Sequence, residues 1–298
     1  MSLSIVICTY NRSHELALTL QSICTVAAEF EFGDEVIVID NNSDDDTKVV
    51  AESFRERIPL RYLFESKQGL SHARNAGLRF AKNTLLIFFD DDVNVLPGTV
   101  TAYRQAAERH SGVGFYGGRI SVYWKNGAPK WFRGYELPLI NGLVGHYRPP
   151  VGSAFPPEKL LPYGANFALN TSHTKVIGEF DSSLGVRGAE IGRGEETDFF
   201  LRAINQGVSG MYLDLAEVEH RFQEERFTLS YFYRYGIQKG LSNPNVSCDD
   251  WLVKALKQVV LGGVQLLKGR KDHFYQCVIN VGLFRGVGIV MRRNRLGS

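Results

Sequence analysis

Short, almost continuous apolar runs alternate with helical patterns through the first 110 residues of the chain. The apolar runs predict buried strands at Leu3–Cys8, Glu35–Asp40, Leu60–Phe64 and Leu85–Phe89. The spacing of apolar positions between them predicts helices near Glu15–Val26, Asp45–Phe54, Ser71–Ala81 and Gly98–Arg109. This alternation predicts an α/β fold with a Rossmann-like, mostly parallel sheet and helices on both faces.

The pattern changes in the second part of the chain. Residues 117–189 are richer in Gly, Pro and aromatic side chains, which predicts irregular structure with a few strands. A helix is expected over Glu195–Asn205 and a strand over Gly210–Leu215, and from about residue 246 the pattern becomes helical, basic and apolar by turns. We therefore predict a main domain and a basic, amphipathic helical C-terminal segment. The main domain covers residues 1–245, in two halves of 1–116 and 117–245, and the segment covers 246–298.

The composition narrows the class of protein. Of the 298 residues, 44% are hydrophobic and 22% are charged, as in an ordinary globular protein. No apolar stretch approaches the roughly 18 residues of a spanning helix, and the start lacks the positive region of a signal peptide. The four cysteines are widely scattered. We therefore expect reduced thiols in a cytoplasmic protein.

Charge is distributed unevenly along the chain. Residues 251–298 carry nine Lys or Arg and one acid, or +8, so the first 250 residues carry −6 of the overall +2. Apolar side chains recur there at the spacing of one helical face, at Leu252, Val253, Leu256, Val259 and Val260. The apolar run Val278–Met291 is followed by further arginines. We expect peripheral contact of 251–298 with the inner face of a membrane, or else packing onto the main domain or a second subunit.

Three consecutive acids, Asp90, Asp91 and Asp92, follow the fourth predicted strand. Acids beside a core are costly unless something cationic balances them. On an extended backbone Asp90 and Asp92 project to the same side, and such a pair suits a hard divalent ion that also binds substrate phosphates. The alternative is a solvated acidic turn.

A second acidic cluster opens the helix expected at Glu195–Asn205. The glycines Gly192 and Gly194 precede Glu195 and Glu196, which is typical of a helix N-terminus, where negative charge is stabilised. These acids are either helix caps or a general base at the rim of a crevice. His220 follows the strand expected at Gly210–Leu215 and is either structural or a further metal ligand.

Polar clusters stand where three predicted strands end. Thr9–Arg12 ends the first, Asp40–Ser43 the second and Asp90–Asp92 the fourth. In parallel sheets, ligands bind beyond the carboxyl ends of the strands. Arg74, on the third predicted helix, either could reach a diphosphate or is a surface charge. Asn166 stands beside small residues that would let a ligand approach the backbone.

Taken together and in order, these motifs resemble family 2 glycosyltransferases with the GT-A fold. The resemblance covers roughly residues 3 to 240. Its motifs are Ser4–Arg12, Val36–Ser43, Gly69–Gly77, Asp90–Asp92, Gly164–Asn166, Gly194–Glu196 and His220. The resemblance implies transfer of a sugar, with inversion, from a nucleoside-diphosphate sugar to a hydroxyl acceptor. The Gln-x-x-Arg-Trp sequence of processive synthases is missing, which favours transfer of a single sugar.

The resemblance also implies the cellular setting. A UDP-sugar is the family's commonest donor, the cofactor would be Mn²⁺ or Mg²⁺, and the acceptor a saccharide or lipid-linked saccharide in cell-surface polysaccharide or glycolipid synthesis. No nucleic-acid partner is expected, and the oligomeric state is left open. Residues 1–116 would bind the nucleotide sugar and residues 117–245 the acceptor.

Site residues follow position by position from the resemblance. It assigns donor binding to Thr9, Asn11, Arg12, Asp40, Asn42, Arg74, Asp90, Asp91 and Asn166. Asp92 would hold the metal, with His220 on the metal or the diphosphate. The family usually shows Glu-Asp where this chain has Glu195-Glu196, and the Asp is the usual base. The base would therefore be Glu196, one methylene longer, with Glu195 as the fallback.

Two other classes of protein share parts of this pattern. A nucleotidyltransferase also uses a doubly wound sheet and metal-binding acids. It would be expected to carry a Gly-rich phosphate loop after the first strand, whereas Thr9–Arg12 contains no glycine. A non-catalytic sugar-binding protein on the same fold would tolerate loss of the acids. The candidate catalytic side chains are nevertheless all present, namely Asp90, Asp92, Glu195, Glu196 and His220.

Overall fold

Eight strands form one sheet in the computed structural model, which describes residues 1–129, 132, 138–150, 161–185, 194–223, 226, 228–241 and 251–296. The strands are β1 (Leu3–Thr9), β2 (Glu35–Asp40), β3 (Leu60–Phe64), β4 (Leu85–Asp90), β5 (Val93–Val95), β6 (Val113–Tyr123), β7 (Asn166–Asn170) and β8 (Ser209–Arg221). Their order across the sheet is β3-β2-β1-β4-β7-β6-β8-β5.

Ten α-helices accompany the sheet in the described ranges. They are α1 (Ser13–Thr25), α2 (Thr47–Glu52), α3 (Leu70–Phe80), α4 (Thr99–Arg109), α5 (Pro138–Val144), α6 (Thr171–Ile177), α7 (Glu195–Asn205), α8 (Leu229–Leu241), α9 (Trp251–Leu267) and α10 (Lys271–Leu296). Among the residues described, no helix is both long enough and apolar enough to cross a membrane.

The first four strands form the parallel half of the sheet, as the sequence predicts. β1 pairs in parallel with β2 and β4, and β2 pairs in parallel with β3. β1, β2 and β4 are nearly continuous apolar runs because both of their faces are buried. The α/β class and the predicted C-terminal helices are confirmed.

The second half of the sheet is mixed. β7 pairs antiparallel with β4 and β6, and β8 pairs in parallel with β6 and antiparallel with β5. β8 is much longer than the predicted Gly210–Leu215, so placing His220 after the strand was wrong: His220 lies within it, opposite Val93. The extension was missed because Glu217 and Glu219 interrupt the apolar run and the register shifts after Gly118.

Contacts divide the chain into two compact units. The sheet unit comprises Met1–Tyr123, Tyr147–Glu190 and Gly194–Arg221, and the helical unit comprises Trp124–His146, Ile191–Arg193 and Phe222–Ser298. The predicted boundary between residues 245 and 246 lies outside the described residues, and the predicted limits 1–116, 117–245 and 246–298 stay predictions.

The helical unit is held together by unusually close helix packing. A Cβ added to Gly236 or Gly240 of α8 would meet the backbone of α10, and one added to Gly282 or Gly286 of α10 would meet the backbone of α8. Small residues of this kind let two helices approach until their backbones touch. α9 packs against α10 as well.

Candidate active site

Polar side chains meet at the carboxyl edge of the parallel strands. In the β1–β2 ladder Thr9 lies opposite Asp40, and in the β1–β4 ladder Cys8 lies opposite Asp90. The ends of three strands therefore lie side by side. This is the edge at which parallel α/β sheets bind their ligands.

Arg12 joins two of the consecutive acids. Its Nη1 lies 2.8 Å from Oδ1 of Asp91, and its Nη2 lies 2.8 Å from Oδ2 of Asp92. Thr9 Oγ1 donates a hydrogen bond of 2.7 Å to the other oxygen of Asp91. Both acids are buried, and a buried carboxylate needs a cationic partner of this kind. Arg12, expected at the nucleoside pocket, therefore neutralises the acidic turn.

His220 approaches the same carboxylate. Its Nε2 lies 3.5 Å from Oδ2 of Asp92. Burial acts to raise the pKa of Asp92, but His220 and Arg12 outweigh it and hold that pKa far below its ordinary value. Asp92 is therefore an ionised carboxylate with an imidazole beside it.

Asp92 and His220 would suit a divalent ion whose other ligands come from a diphosphate. Across the described ranges, no three His, Cys, Asp or Glu side chains converge closely enough to hold an ion on their own. Mg²⁺ and similar ions usually bind through one or two carboxylates plus substrate phosphates. Asp92 and His220 provide a protein contribution of about this size, namely one carboxylate and one imidazole.

Arg74 is the second cation of the site, and it is buried. Its Nη1 forms a 2.7 Å salt bridge with Oε1 of Glu195 and lies 3.7 Å from Oε2 of Glu196. Its Nη2 lies 3.7 Å from Oδ1 of Asp90. Burial raises the pKa of Asp90 although Arg74 opposes the rise. Arg74 thus connects the acid that ends β4 with the acids that open α7.

Gly164 gives Arg74 its space. A Cβ at this position would overlap Nη2 of Arg74 and would lie 3.7 Å from Oε1 of Glu196. The small residue was expected to admit a ligand. The structure shows that it admits the guanidinium group, and the approach of a ligand stays a prediction.

The two acids at the start of α7 have different surroundings. The Glu195 side chain is 4% exposed and that of Glu196 is 25% exposed. Burial and the neighbouring charge of Glu196 raise the pKa of Glu195, against the pull of Arg74. Gly194, with φ of 106°, provides the left-handed turn before the helix. Gly192 lies outside the described residues.

The loops after β1 and β2 are tied together beside Asp40. Asp40 accepts hydrogen bonds from Tyr62 Oη (2.6 Å) and from the backbone N–H of Ser43 (2.9 Å). The Asn11 N–H donates to Ser43 Oγ at 2.9 Å. Asn11 and Asn42 have φ of 50° and 70°, in the left-handed region that Asn tolerates. Sequence reasoning missed Tyr62, although its place two residues before the end of β3 puts it on the same sheet face as the site.

Asn166 is not in the crevice. Its side chain is fully buried and uses both ends of its amide. Oδ1 accepts from Tyr103 Oη at 2.7 Å, and Nδ2 donates to the carbonyls of Arg119 (2.9 Å) and Ala216 (2.8 Å). The side chain thus fastens β7 to α4, β6 and β8. The expected contact with a donor sugar could come only from the backbone nearby.

Arg221 is a second residue that the sequence did not indicate. Its guanidinium donates to the carbonyls of Asp91 (3.2 Å) and Val93 (2.6 Å) and to the side chain of Glu15 (3.1 Å). It therefore holds the backbone of the acidic turn in place. Its position directly after His220 was the available signal.

Comparison with known proteins gives matches to one family. The model of the family described as "Glycosyl transferase family 2" matches residues 4–164. The succinoglycan biosynthesis protein ExoM of Rhizobium meliloti is 27% identical over 243 residues, which cover 80% of this chain and 73% of ExoM. Several other curated relatives are longer proteins, of which the matched part is only 17% to 31%.

Two solved structures share the fold. The mannosyltransferase PcManGT from Pyrobaculum calidifontis, in complex with GDP-Man and Mn²⁺, has a TM-score of 0.61 at 14% identity, covering 96% of this chain and 86% of that one. Residues 1–349 of S. aureus TarS, in complex with UDP-GlcNAc, have a TM-score of 0.51 at 16% identity, covering 89% and 73%. At these identities the likeness concerns the fold.

Proposed function

Because the chain belongs to glycosyl transferase family 2 and has the GT-A fold, we propose that it transfers a single sugar, with inversion, from a nucleoside-diphosphate sugar to a hydroxyl acceptor. One observation carries the proposal. The half-buried carboxylate of Glu196 lies 3.7 Å from Arg74, which itself lies 3.7 Å from Asp90 at the end of β4. A candidate base and a candidate donor site are thus linked through one cation.

The donor would bind along the strand ends. Asp40, held by Tyr62, would contact the base, and Thr9, Asn11, Arg12 and Asn42 would line the nucleoside pocket. Arg74 and Asp90 would face the diphosphate and the sugar, next to Asp91. UDP is the expected nucleotide. The TarS complex with UDP-GlcNAc supports that choice.

Asp92 and His220 would hold Mn²⁺ or Mg²⁺. When bound, the ion would neutralise charge that grows on the departing diphosphate. The Mn²⁺ in the PcManGT complex supports this cofactor. Arg221 would fix the backbone beside Asp92, so that the carboxylate keeps its direction.

The side chains of the protein would accept a proton and hold the reacting groups in position. The acceptor hydroxyl oxygen attacks the anomeric carbon from the face opposite the diphosphate. The new C–O bond forms as the bond to the diphosphate breaks, and the nucleoside diphosphate leaves with the electron pair. Glu196 accepts the hydroxyl proton. Glu195, which accepts a 2.7 Å hydrogen bond from Arg74, would hold Arg74 in place.

The biological setting we propose is synthesis of a cell-surface polysaccharide or glycolipid. ExoM is named for succinoglycan biosynthesis, which supports this setting. The acceptor would be a saccharide, free or linked to a lipid, on the cytoplasmic side of the membrane.

A panel of nucleotide sugars tests the proposal directly. The protein is incubated with each donor and Mn²⁺, with and without simple saccharide acceptors, and released nucleotide is measured. We expect one nucleotide class to give release. Consumption of a nucleoside triphosphate with a sugar phosphate instead would identify a nucleotidyltransferase. Binding of sugars without turnover of any donor would identify a non-catalytic protein.

A further inference from the structure

One face of α9 exposes a continuous row of aliphatic side chains. These side chains are Leu256 (58% exposed), Val259 (58%), Val260 (70%), Val264 (41%) and Leu267 (90%). Their spacing places them on one side of the helix, so we call this set the α9 stripe. Isolated exposed leucines are ordinary, whereas a contiguous apolar row marks an interaction surface.

The opposite side of α9 already has its packing partner. Ala255 is buried, and a Cβ at Gly262 would lie 3.2 Å from Cβ of Cys277 in α10. Gln258 accepts a hydrogen bond of 3.0 Å from Asn280. The helix is therefore held to its unit by one face and presents the α9 stripe with the other.

Basic side chains flank the α9 stripe. Lys254, Lys257 and Lys268 are exposed, and helical spacing puts all three on the same flank. α9 contains no acidic residue, and Arg270 and Lys271 follow its end. The surface therefore combines an aliphatic row with a positive edge, the composition of helices that lie in a membrane interface.

We infer that the α9 stripe docks onto an anionic lipid surface. The leucines and valines enter the boundary between headgroups and acyl chains, and the lysines reach lipid phosphates. A second copy of the chain suits this face less well. Two α9 helices would bring lysine edges together without an acid in either helix to pair with them.

The inference confines the contact to α9. The apolar run predicted at Val278–Met291 belongs to α10, in which Ile279 and Val287 are buried. Gly282 and Gly286 lie against the α8 backbone. These residues serve packing within the helical unit and are not available to lipid.

Vesicle co-sedimentation of the full chain tests the inference. The vesicles contain phosphatidylcholine alone or phosphatidylcholine with phosphatidylglycerol. We expect the wild type to bind the anionic vesicles, and L256E/V260E to bind at least tenfold less. The matched control is V49E/V176E, which places the same two charges on valines that are 69% and 62% exposed in α2 and α6. Its binding should equal that of the wild type.

A second pair of variants tests the positive edge. K257Q/K268Q should lose about fivefold in binding to anionic vesicles for each lysine removed. K82Q/K175Q, with two exposed lysines elsewhere, should lose little of this binding. High salt should reduce the difference between the two pairs.

Three outcomes would overturn the inference. The first is that the wild-type protein does not bind anionic vesicles. The second is that L256E/V260E and V49E/V176E lose vesicle binding equally. The third is that the wild type binds no vesicles but forms a dimer in sedimentation velocity, and that L256E/V260E is monomeric. Donor hydrolysis without vesicles is measured on the same samples and should be unchanged in every variant. A failed membrane contact is thereby distinguished from a failed glycosyltransferase assignment.

Discussion

Arg12 and His220 both approach the same oxygen of Asp92. Nη2 of Arg12 lies 2.8 Å from this Oδ2, and Nε2 of His220 lies 3.5 Å from it. The guanidinium of Arg12 thus already contacts the carboxylate that we propose as a ligand of the divalent ion. Charge balance at this turn is provided by the chain itself, which explains how three consecutive acids are accommodated beside the core.

The first prediction concerns the metal. Asp92→Asn keeps the shape of the side chain but removes its charge, so Mn²⁺ affinity should fall at least tenfold and transfer should be lost. Mn²⁺ binding is measured by electron paramagnetic resonance in the presence of UDP. Asp46→Asn is the control, since Asp46 is exposed and its side chain does not cap α2. Full activity of the wild type in EDTA would refute a metal requirement.

The second prediction concerns the base. Glu196→Gln preserves size and cannot accept a proton, so turnover should fall by about 10²–10⁴-fold while donor affinity is retained. Donor affinity is measured by calorimetry and turnover by released nucleotide. If Glu195→Gln were the inactive variant and Glu196→Gln nearly normal, the base would be Glu195. The coupling constant of the anomeric proton in the product reports inversion independently.

The third prediction concerns Gly164. Its replacement by alanine should cost about 1–3 kcal/mol of unfolding free energy, because the new methyl group overlaps the buried Arg74. Transfer should fall as well, since Arg74 contacts Glu195. Gly112→Ala is the matched control, because a Cβ there meets nothing within 4 Å. Equal unfolding curves for the two variants would contradict the packing described.

The fourth prediction uses the pKa of Glu195, which burial and the charge of Glu196 raise from 4.5 to about 8. Between pH 4.5 and about pH 8, the Glu195 carboxyl is protonated in the folded chain and ionised in the unfolded chain. Lowering the pH from about 9 to about 6 should therefore favour folding through this group. In Glu195→Gln this increment should be missing from urea unfolding curves measured at both pH values. An unchanged pH dependence would show that Glu195 titrates normally.

The parallel half of the sheet was predictable because burial on both faces leaves a continuous apolar run. β2 and β3 were predicted with their observed bounds. The polar strand ends were predictable for the same reason, since Asp40 and Asp90 interrupt those runs. Family membership and fold are confirmed, while the roles of single residues stay predictions.

Partner choice among side chains could not be derived from the order of residues. Arg12 pairs with acids about eighty positions away, and Asn166 hydrogen-bonds to Tyr103, Arg119 and Ala216, which lie 47 to 63 positions away. Both facts depend on how the strands are arranged. β8 was underestimated because its polar residues alternate with apolar ones along a half-exposed strand.

The glycines at the contact of α8 with α10 limit how these two helices can move relative to each other. Helices separated by side chains can slide over one another by small rotamer changes, which is the basis of shear motions. Where Gly236 meets Ile279 and Gly282 meets Tyr233, backbone lies against backbone and leaves no rotamers to absorb such a shift. α8 and α10 must therefore move as one piece. A lipid surface that took hold of α9 would restrain this whole helix pair through α10.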